Sequence, residues 1–247
     1  MLSPAARHRQ KILARQAAAK APEGVAAARP KDGPEASAYE LLLAELGKDL
    51  ARLREVQSVE GKIALKREMI VSYDHHVDAT LDASAQSGKA VQDEIVATMM
   101  IWRFDIGDFA AGLEIAAHVL RFGLAMPQRM QRQAATLIAE EVAEAALAMD
   151  RDGHEFSLAI IDQANALTAE HDMPDQVRAK LFKARGRSLR RAYARLVEHP
   201  ESAPAGGRES AQLEALAAFR RALQLDKKCG VKKDIEQLEA KVRAAND

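Results

Sequence analysis

The sequence predicts an all-α protein built from antiparallel helix pairs. Apolar residues recur three and four positions apart along most of the chain, which is typical of helices with one buried face. Although 48% of the residues are hydrophobic, only 4% are aromatic, so the core must be built mainly from Ala, Leu, Ile and Val. A chain of 247 residues can bury such a core, and small side chains suit closely packed helices.

Charge and cysteine content limit the possible function classes. The chain has 36 Lys and Arg against 36 Asp and Glu, so no global field attracts nucleic acid and any basic surface must be local. A single cysteine, Cys229, excludes an internal disulfide framework and fits a reducing compartment. No run of about 18 apolar residues occurs. We therefore expect a soluble, unexported protein.

Residues 1–35 are predicted to form a flexible basic N-terminal arm. A helix can begin after Ser3, with Pro4 in its first turn, and a linker rich in proline and glycine follows. The arm is a candidate for phosphate contact, because each neutralised phosphate releases condensed counterions. A merely solubilising tail is the alternative. The candidate DNA-binding residues of the arm are Arg7, His8, Arg9, Lys11 and Arg15.

Residues 36–86 are predicted to form a long, coiled-coil-like helical hairpin. Apolar residues alternate four and three apart in its first helix and recur every seven in its second. A stripe of this kind needs a partner, which is either the other helix of the hairpin or another subunit. The candidate oligomerisation residues are Leu43, Leu46, Leu50, Leu53, Ile63, Ile70 and Val77.

Two short motifs in and after this hairpin do not support a bound metal or nucleotide. Asp74, Asp78 and Asp82 share a helical face, but the adjacent His75 and His76 point about 100° apart and cannot both join them around one ion. The segment that ends in Gly88 and Lys89 lacks the first glycine, the Ser or Thr and the preceding strand of a phosphate-binding loop. We expect no metal and no cofactor here.

Residues 87–199 are predicted to form a central helical domain. Two helices between Gln92 and Pro127 fold back on each other at Asp105-Ile-Gly-Asp108, where Gly107 permits a tight turn and Asp108 can cap the second helix. Trp102, the chain's only tryptophan, is expected to anchor their packing.

A later helix of this domain is strongly basic. Between Arg178 and Arg195 it carries eight cations and no acid. One-signed charge of this density repels itself without an anionic partner, so the helix is a second candidate for phosphate contact; a solvated face is the alternative. The candidate residues are Arg178, Lys180, Lys183, Arg185, Arg187, Arg190 and Arg191, with Arg195 at the end of the run.

A loop at residues 200–208 and a C-terminal helical hairpin at residues 209–247 complete the predicted architecture. The hairpin turns near Lys228 to Gly230. Its Ala215, Phe219 and Leu223 repeat the spacing of Gly112, Ala116 and Leu120, which is weakly typical of a tetratricopeptide-type helix pair.

Five motifs in this order resemble the small terminase subunit, also called the endonuclease subunit, of P2-like tailed bacteriophages. They are SPAxRH at Ser3 to His8, QDEIxxxxMxWRxDxGDxAxxLEIAxxxLxxGLxMP at Gln92 to Pro127, EEVAxAA at Glu140 to Ala146, DMPDxVRAKLxK at Asp172 to Lys183, and QLDxxxGVKKxIExLE at Gln224 to Glu239. The resemblance implies an oligomer in the host cytoplasm that recognises the cohesive-end region of viral double-stranded DNA. It also implies delivery of that DNA to a large subunit, which carries the ATPase motor.

The family's endonuclease name raises the question of a metal-dependent cutting site. Such a site needs carboxylates that converge on one or two Mg²⁺ or Mn²⁺ ions. The candidates inside the motifs are Asp93, Glu94, Asp105 and Asp108, but about 16 Å of helix separates the first two from the others. We expect the cutting activity to reside in the large subunit.

Three functions therefore remain open from the sequence. The leading one is a DNA-recognition and assembly subunit, in which a ring or other closed oligomer presents several basic arms at once. The second is a metal-dependent nuclease. The third is a helical adaptor that binds only protein.

Overall fold

A computed structural model describes residues 3–19, 21–199, 201 and 207–246. The described residues form eleven helices and two isolated β-bridges, so the prediction of an all-α fold is confirmed. The helices are α1 (Pro4–Ala19), α2 (Pro34–Glu55), α3 (Val59–Ile70), α4 (Asp74–Ser87), α5 (Glu94–Asp105), α6 (Phe109–Phe122), α7 (Ala134–Arg151), α8 (Leu158–Thr168), α9 (Asp175–Glu198), α10 (Gly207–Leu225) and α11 (Lys232–Asn246). None of the described helices is both long and apolar enough to cross a membrane.

The chain divides into two compact units, Met1–Ala134 and Ala135–Asp247. The division falls inside the segment 87–199 that the sequence predicts as one domain. Helices α5 and α6 belong to the first unit because they pack on α3 and α4, whereas α9 packs on α8 and α10 in the second.

Helices α5 and α6 fold back on each other, as predicted, and contribute many of the buried residues of the first unit. Gly107 has a φ of +82°, which only glycine adopts without strain, and Oδ1 of Asp108 accepts the N–H of Ala111 at 3.4 Å to cap α6. A Cβ on Gly112 would stand 2.7 Å from the ring of Phe104, so glycine permits the close contact between the two helices. Trp102 is buried, as expected.

The prediction of one long second helix in the hairpin at 36–86 is wrong, because α3 ends at Ile70 and α4 begins at Asp74. The turn between them directs Tyr73 into the core, where its ring meets Trp102 edge-on at 6.1 Å. The hydroxyl of Tyr73 donates to Oδ2 of Asp49 at 2.8 Å. The repeat of Ile63, Ile70 and Val77 thus spans two helices rather than one long helix of a coiled coil.

The predicted flexible basic arm at residues 1–35 is instead packed against other helices where the structure describes it. Helix α1 packs along α4 and buries Ala17 and Ala18. The linker after it hydrogen-bonds to the segment that precedes α5: the N–H of Gln92 donates to the carbonyl of Ala27 at 2.7 Å. Small side chains on α1 permit this close packing, which compensates for its low apolar content.

The second unit is organised around α9 and α10, the most extensively packed helix pair among the described residues. A Cβ on Gly186 would stand 2.5 Å from the ring of Phe219, so the two helices approach closely at that point. Leu189, Val231 and Leu238 join Phe219 in a buried cluster. Within the predicted loop at 200–208, residues 200 and 202–206 lie outside the described residues. The tetratricopeptide-like character of the helix pairs stays a prediction.

Candidate nucleic-acid interface

The basic residues of α1 divide into two groups. Arg7, His8 and Arg9 are exposed and have no ion-pair partner within the described ranges. Lys11 and Arg15 instead contact α4: Nζ of Lys11 lies 3.0 Å from Oδ2 of Asp82, and Arg15 donates to Oε1 of Gln86 at 2.9 Å. Because the Lys11–Asp82 pair is exposed on both sides, it contributes little to stability and can exchange for another anion.

An open cavity of about 450 Å³ lies where α1 faces α4 and α6. Arg7 and Lys11 line it together with three acids of α4, Asp74, Asp78 and Asp82. Burial, with a smaller effect from Asp74, raises the pKa of Asp78 above its ordinary value. Asp74 and Asp82 on the acidic side of this cavity attract the same α1 cations that a phosphate would attract.

The linker after α1 is held by Arg29, a residue that no motif in the sequence marks. Its guanidinium lies 3.7 Å from the centroid of the Tyr39 ring, donates to the carbonyl of Gln92 at 3.1 Å and pairs with buried Asp93. His76 Nε2 contacts the same carboxylate at 2.8 Å. The only sequence signal for this cluster is the position of Asp93 directly before an apolar helix, which is typical of an N-cap.

The basic face of α9 is paired with acids from other helices of the second unit. Arg187 and Arg190 both contact Asp234 of α11, the first at 2.9 Å. Arg191 contacts Oδ1 of Asp150 on α7 at 2.9 Å.

The remaining cations of α9 have internal partners as well. Lys180 pairs with Glu144 at 2.8 Å, Arg185 with Asp162 at 2.6 Å and Glu214 at 2.9 Å, and Arg195 with Glu155 at 2.8 Å. Arg178 donates to the carbonyl of His171 at 2.7 Å, and Lys183 donates to that of Cys229 at 2.8 Å. The premise that α9 lacks anionic partners is thus corrected: the chain supplies them itself.

These ion pairs shift the pKa values of Arg185 and Glu214. Burial alone would lower the pKa of Arg185, but its hydrogen bonds to Asp162 and Glu214 raise it. The hydrogen bond from Arg185 in turn lowers the pKa of Glu214. Both groups are therefore held in their charged forms, as a structural ion pair requires.

The four acids considered for a nuclease site lie in separate contacts. Asp105 pairs with Lys66 at 2.5 Å, Asp108 with Arg103 at 2.7 Å and Glu94 with Arg129 at 3.3 Å. Asp93 is engaged by Arg29 and His76. Among the described residues, no group of three or more His, Cys, Asp or Glu is placed to hold a metal ion.

The predicted oligomerisation residues differ in exposure. Leu46, Leu53, Ile70 and Val77 are buried inside the first unit. Leu43, Leu50 and Ile63 are half-buried, so part of each side chain remains accessible to a partner. The stripe is therefore used in large part within the chain, while a contact between subunits stays a prediction.

Comparisons with known proteins agree on one family. A family model described as phage small terminase subunit matches residues 43–176. The chain is 37% identical over 243 residues to a protein of Escherichia phage P2 named "Terminase, endonuclease subunit", a match that covers 98% of this chain and 87% of the relative. No solved structure matches the chain.

Proposed function

The chain belongs to the phage small terminase subunit family, and we therefore propose that it binds the cohesive-end site at which packaging of viral DNA begins. In this proposal the subunit works in the host cytoplasm as a ring-like homo-oligomer. It presents the bound duplex to the large ATPase subunit, which moves and cuts the DNA.

The observation that carries the DNA-binding step is the exposed basic start of α1. Arg7, His8 and Arg9 form one turn of helix whose side chains are exposed and unpaired within the described residues. A helical turn of this kind suits phosphate contact, and Arg7 and Arg9 also carry the planar donors that read guanine edges. Lys11 and Arg15 join the contact when DNA phosphates replace Asp82 and Gln86.

Helix α9 is not part of the DNA contact in this proposal. Its cations lie in pairs with Asp150, Asp162, Asp234 and other acids of the second unit. Contact with DNA would require those pairs to break, which leaves acids such as the buried Asp234 without a partner. The proposal accordingly rests on α1 and not on α9.

Substitution of Arg7 and Arg9 by Gln in the full chain tests the proposal. We expect weaker binding to cohesive-end duplex, and a slope of log affinity against log salt that is smaller by about 2 per subunit, since two phosphates are no longer neutralised. Fluorescence anisotropy titrations at several salt concentrations measure both quantities.

The matched control replaces Arg54 and Arg151, two exposed cations outside the proposed surface, by Gln. That variant loses the same charge and should bind nearly as the wild type does. Equal affinities for the wild type and for the α1 variant would contradict the proposal. Stable binding to the large subunit without any DNA affinity would favour the protein-only adaptor.

A second candidate function, metal-dependent endonuclease, is favoured by the name of the phage P2 relative. It requires purified protein with Mg²⁺ or Mn²⁺ to nick cohesive-end DNA, and it requires substitution of Asp105 and Asp108 by Asn to abolish nicking. Asp152 and Asp172, two exposed acids, serve as the matched control pair. An absence of nicking at high protein concentration would eliminate this function.

A further inference from the structure

The turn between α10 and α11, together with the first two residues of α11, carries four exposed lysines, Lys227, Lys228, Lys232 and Lys233, which we call the lysine turn. None of the four has an ion-pair partner within the part of the chain that the structure describes. The turn thus displays four unpaired positive charges within seven residues.

The two acids nearest in sequence are engaged elsewhere. Oδ1 of Asp226 accepts the N–H of Lys228 at 2.8 Å and so shapes the backbone of the turn. Asp234 is buried, and its carboxylate contacts Arg187 and Arg190 of α9. Neither carboxylate is directed at a lysine ammonium of the turn.

The backbone that carries the lysines is firmly held. The N–H of Cys229 donates to the carbonyl of Asp226 at 3.1 Å, and Nζ of Lys183 donates to the carbonyl of Cys229 at 2.8 Å. Gly230 has a φ of +78°, and Val231 is fully buried in the core of the second unit. The lysines therefore project from a fixed scaffold, which lowers the entropy lost when they meet a ligand.

Cations from both sides of the turn border one surface groove. Arg220 and Lys227 on the α10 side and Lys232 at the start of α11 line an open groove of about 420 Å³, together with Leu223 and Gln224. Arg220 pairs with Glu239 at 2.7 Å and so carries less free charge than the lysines. Lys227 and Lys232 thus border one groove, and Lys228 and Lys233 directly follow them in the sequence.

The four lysines differ from the cations of α9 in the same unit. Every one of the eight cations of α9 has an acid or a carbonyl as a partner, although that helix has the higher number of positive charges. Unpaired charges of one sign repel one another, and a bound polyanion removes that cost. Lysine is a point charge with rotatable donors, which suits phosphate contact without a fixed geometry.

We propose that this lysine turn is a second DNA contact, which binds the phosphate backbone of duplex DNA without reading its sequence. The inference rests on the proposed function, since that function supplies the polyanion. It extends the function by separating two roles: α1 selects the site, and the lysine turn adds affinity for any duplex.

The test replaces Lys227, Lys228, Lys232 and Lys233 together by Gln in the full chain. We expect affinity at physiological salt to fall roughly tenfold or more for cohesive-end duplex and by a similar factor for a duplex of unrelated sequence. The slope of log affinity against log salt should become smaller by about 3 to 4 per subunit, because each phosphate that a lysine neutralises adds about 0.9 to it.

Two control variants separate charge from folding and from general electrostatics. Replacement of the same four lysines by Arg keeps the charge and should keep the affinity. Replacement of Lys48, Arg54, Lys62 and Arg151 by Gln removes four charges elsewhere on the surface and should change the affinity less than twofold. Thermal unfolding followed by circular dichroism should be similar for all variants, because the four lysines are exposed.

The outcomes distinguish this inference from the proposed function. If the lysine variant binds both duplexes as the wild type does while the Arg7 and Arg9 variant binds weakly, the lysine turn is not a DNA contact and the proposed function stands. If the lysine variant keeps its DNA affinity but no longer binds the large subunit, the turn is a protein contact and the inference is wrong. If the wild type binds no DNA, both are wrong.

Discussion

Asp93 is a fully buried carboxylate with four hydrogen-bond partners. It accepts the N–H groups of Ile95 and Val96 at 3.0 Å each and contacts Arg29 and His76. Burial alone would raise the pKa of Asp93, but His76, Arg29 and the N–H of Val96 lower it because they stabilise the charged form. A residue that the sequence offers as a metal ligand is therefore engaged in joining the linker, α4 and the start of α5.

His118 is buried in the same unit, and its hydrogen bonds indicate one tautomer. Oγ of Ser84 lies 2.8 Å from the carbonyl of Thr80 and 3.0 Å from that of Leu81, and either can accept its proton. We therefore assign Nδ1–H of His118 as the donor to this oxygen, 3.0 Å away. Nε2 makes no hydrogen bond with the described residues. A second proton at Nε2 would be buried without an acceptor, and burial accordingly lowers the pKa of His118 to about 4.

Replacement of His118 by Gln should weaken the pH dependence of stability. The pKa of His118 is lower in the folded chain than its ordinary value of 6.5, so the unfolded chain binds more protons between those two pKa values. Stability from neutral His118 is thus present above pH 6.5 and is lost as the pH falls towards 4. Between about pH 7 and pH 4.5 this loss amounts to about 2 kcal/mol, which the variant should lack.

Urea unfolding followed by the fluorescence of Trp102 reports on the unit that contains His118. The control is His154→Gln, which changes an exposed histidine and should keep the full wild-type pH dependence. A His118 variant whose free energy of unfolding falls with pH as steeply as that of the wild type would contradict the argument.

At the scale of helices, Asp234 connects α11 to α9. Asp234 is 4% exposed, and its carboxylate contacts both Arg187 and Arg190. A buried carboxylate costs desolvation free energy that only such partners compensate. The pairing therefore helps to hold the C-terminal helix, and with it the lysine turn, against the basic helix.

Asp234→Asn should lower the stability of the second unit by about 2 kcal/mol, because both partly exposed guanidinium groups lose a charged acceptor, although Arg187 keeps Asp150 at 3.5 Å. Hydrogen exchange measured by mass spectrometry should show faster exchange in α9 and α11. Glu236→Gln, an exposed change two residues away, removes the same charge and should leave exchange nearly unchanged. Equal protection in the two variants would mean that the Asp234 contacts contribute no net stability.

The helices that the sequence predicts well are those whose ends depend on local chemistry. The α5–α6 turn is encoded by Gly107 and Asp108, which act through their own backbone and their near neighbours. The end of α3 is not encoded in this way. It depends on Tyr73 entering the core against Trp102, a contact between residues 29 positions apart that a heptad pattern cannot show.

At the scale of the whole molecule, contacts between residues that are distant in sequence also decide which charges are available to a ligand. The sequence therefore predicts the candidate site only in part. The basic runs on α1 and α9 are visible in the sequence, but the acids that neutralise α9 lie 23 to 47 residues away. Charge balance on a helix is therefore a property of the fold. The unpaired start of α1 and the lysine turn become visible as candidate surfaces only after those internal pairs are identified.

An apolar groove on the first unit is a candidate contact surface for the proposed oligomer. Leu41 is 72% exposed and lies on a groove of about 260 Å³ that residues of α1, α2 and α4 line. Leu13 and Leu42 lie on the same groove, so it offers apolar area that a second copy can cover. Association there would also bring several copies of α1 together, and each further arm would then bind DNA at high effective concentration.

Leu41→Glu should shift the protein towards monomers, because the new charge would be buried in the contact. Native mass spectrometry with and without cohesive-end duplex measures this shift. DNA affinity should fall at the same time, although no cation has been changed, since multivalency is lost. Leu213→Glu alters a leucine that is 53% exposed on α10 and should leave both quantities unchanged. A wild-type protein that stays a single subunit at working concentration, with or without DNA, would contradict this account of how weak phosphate contacts become a stable complex.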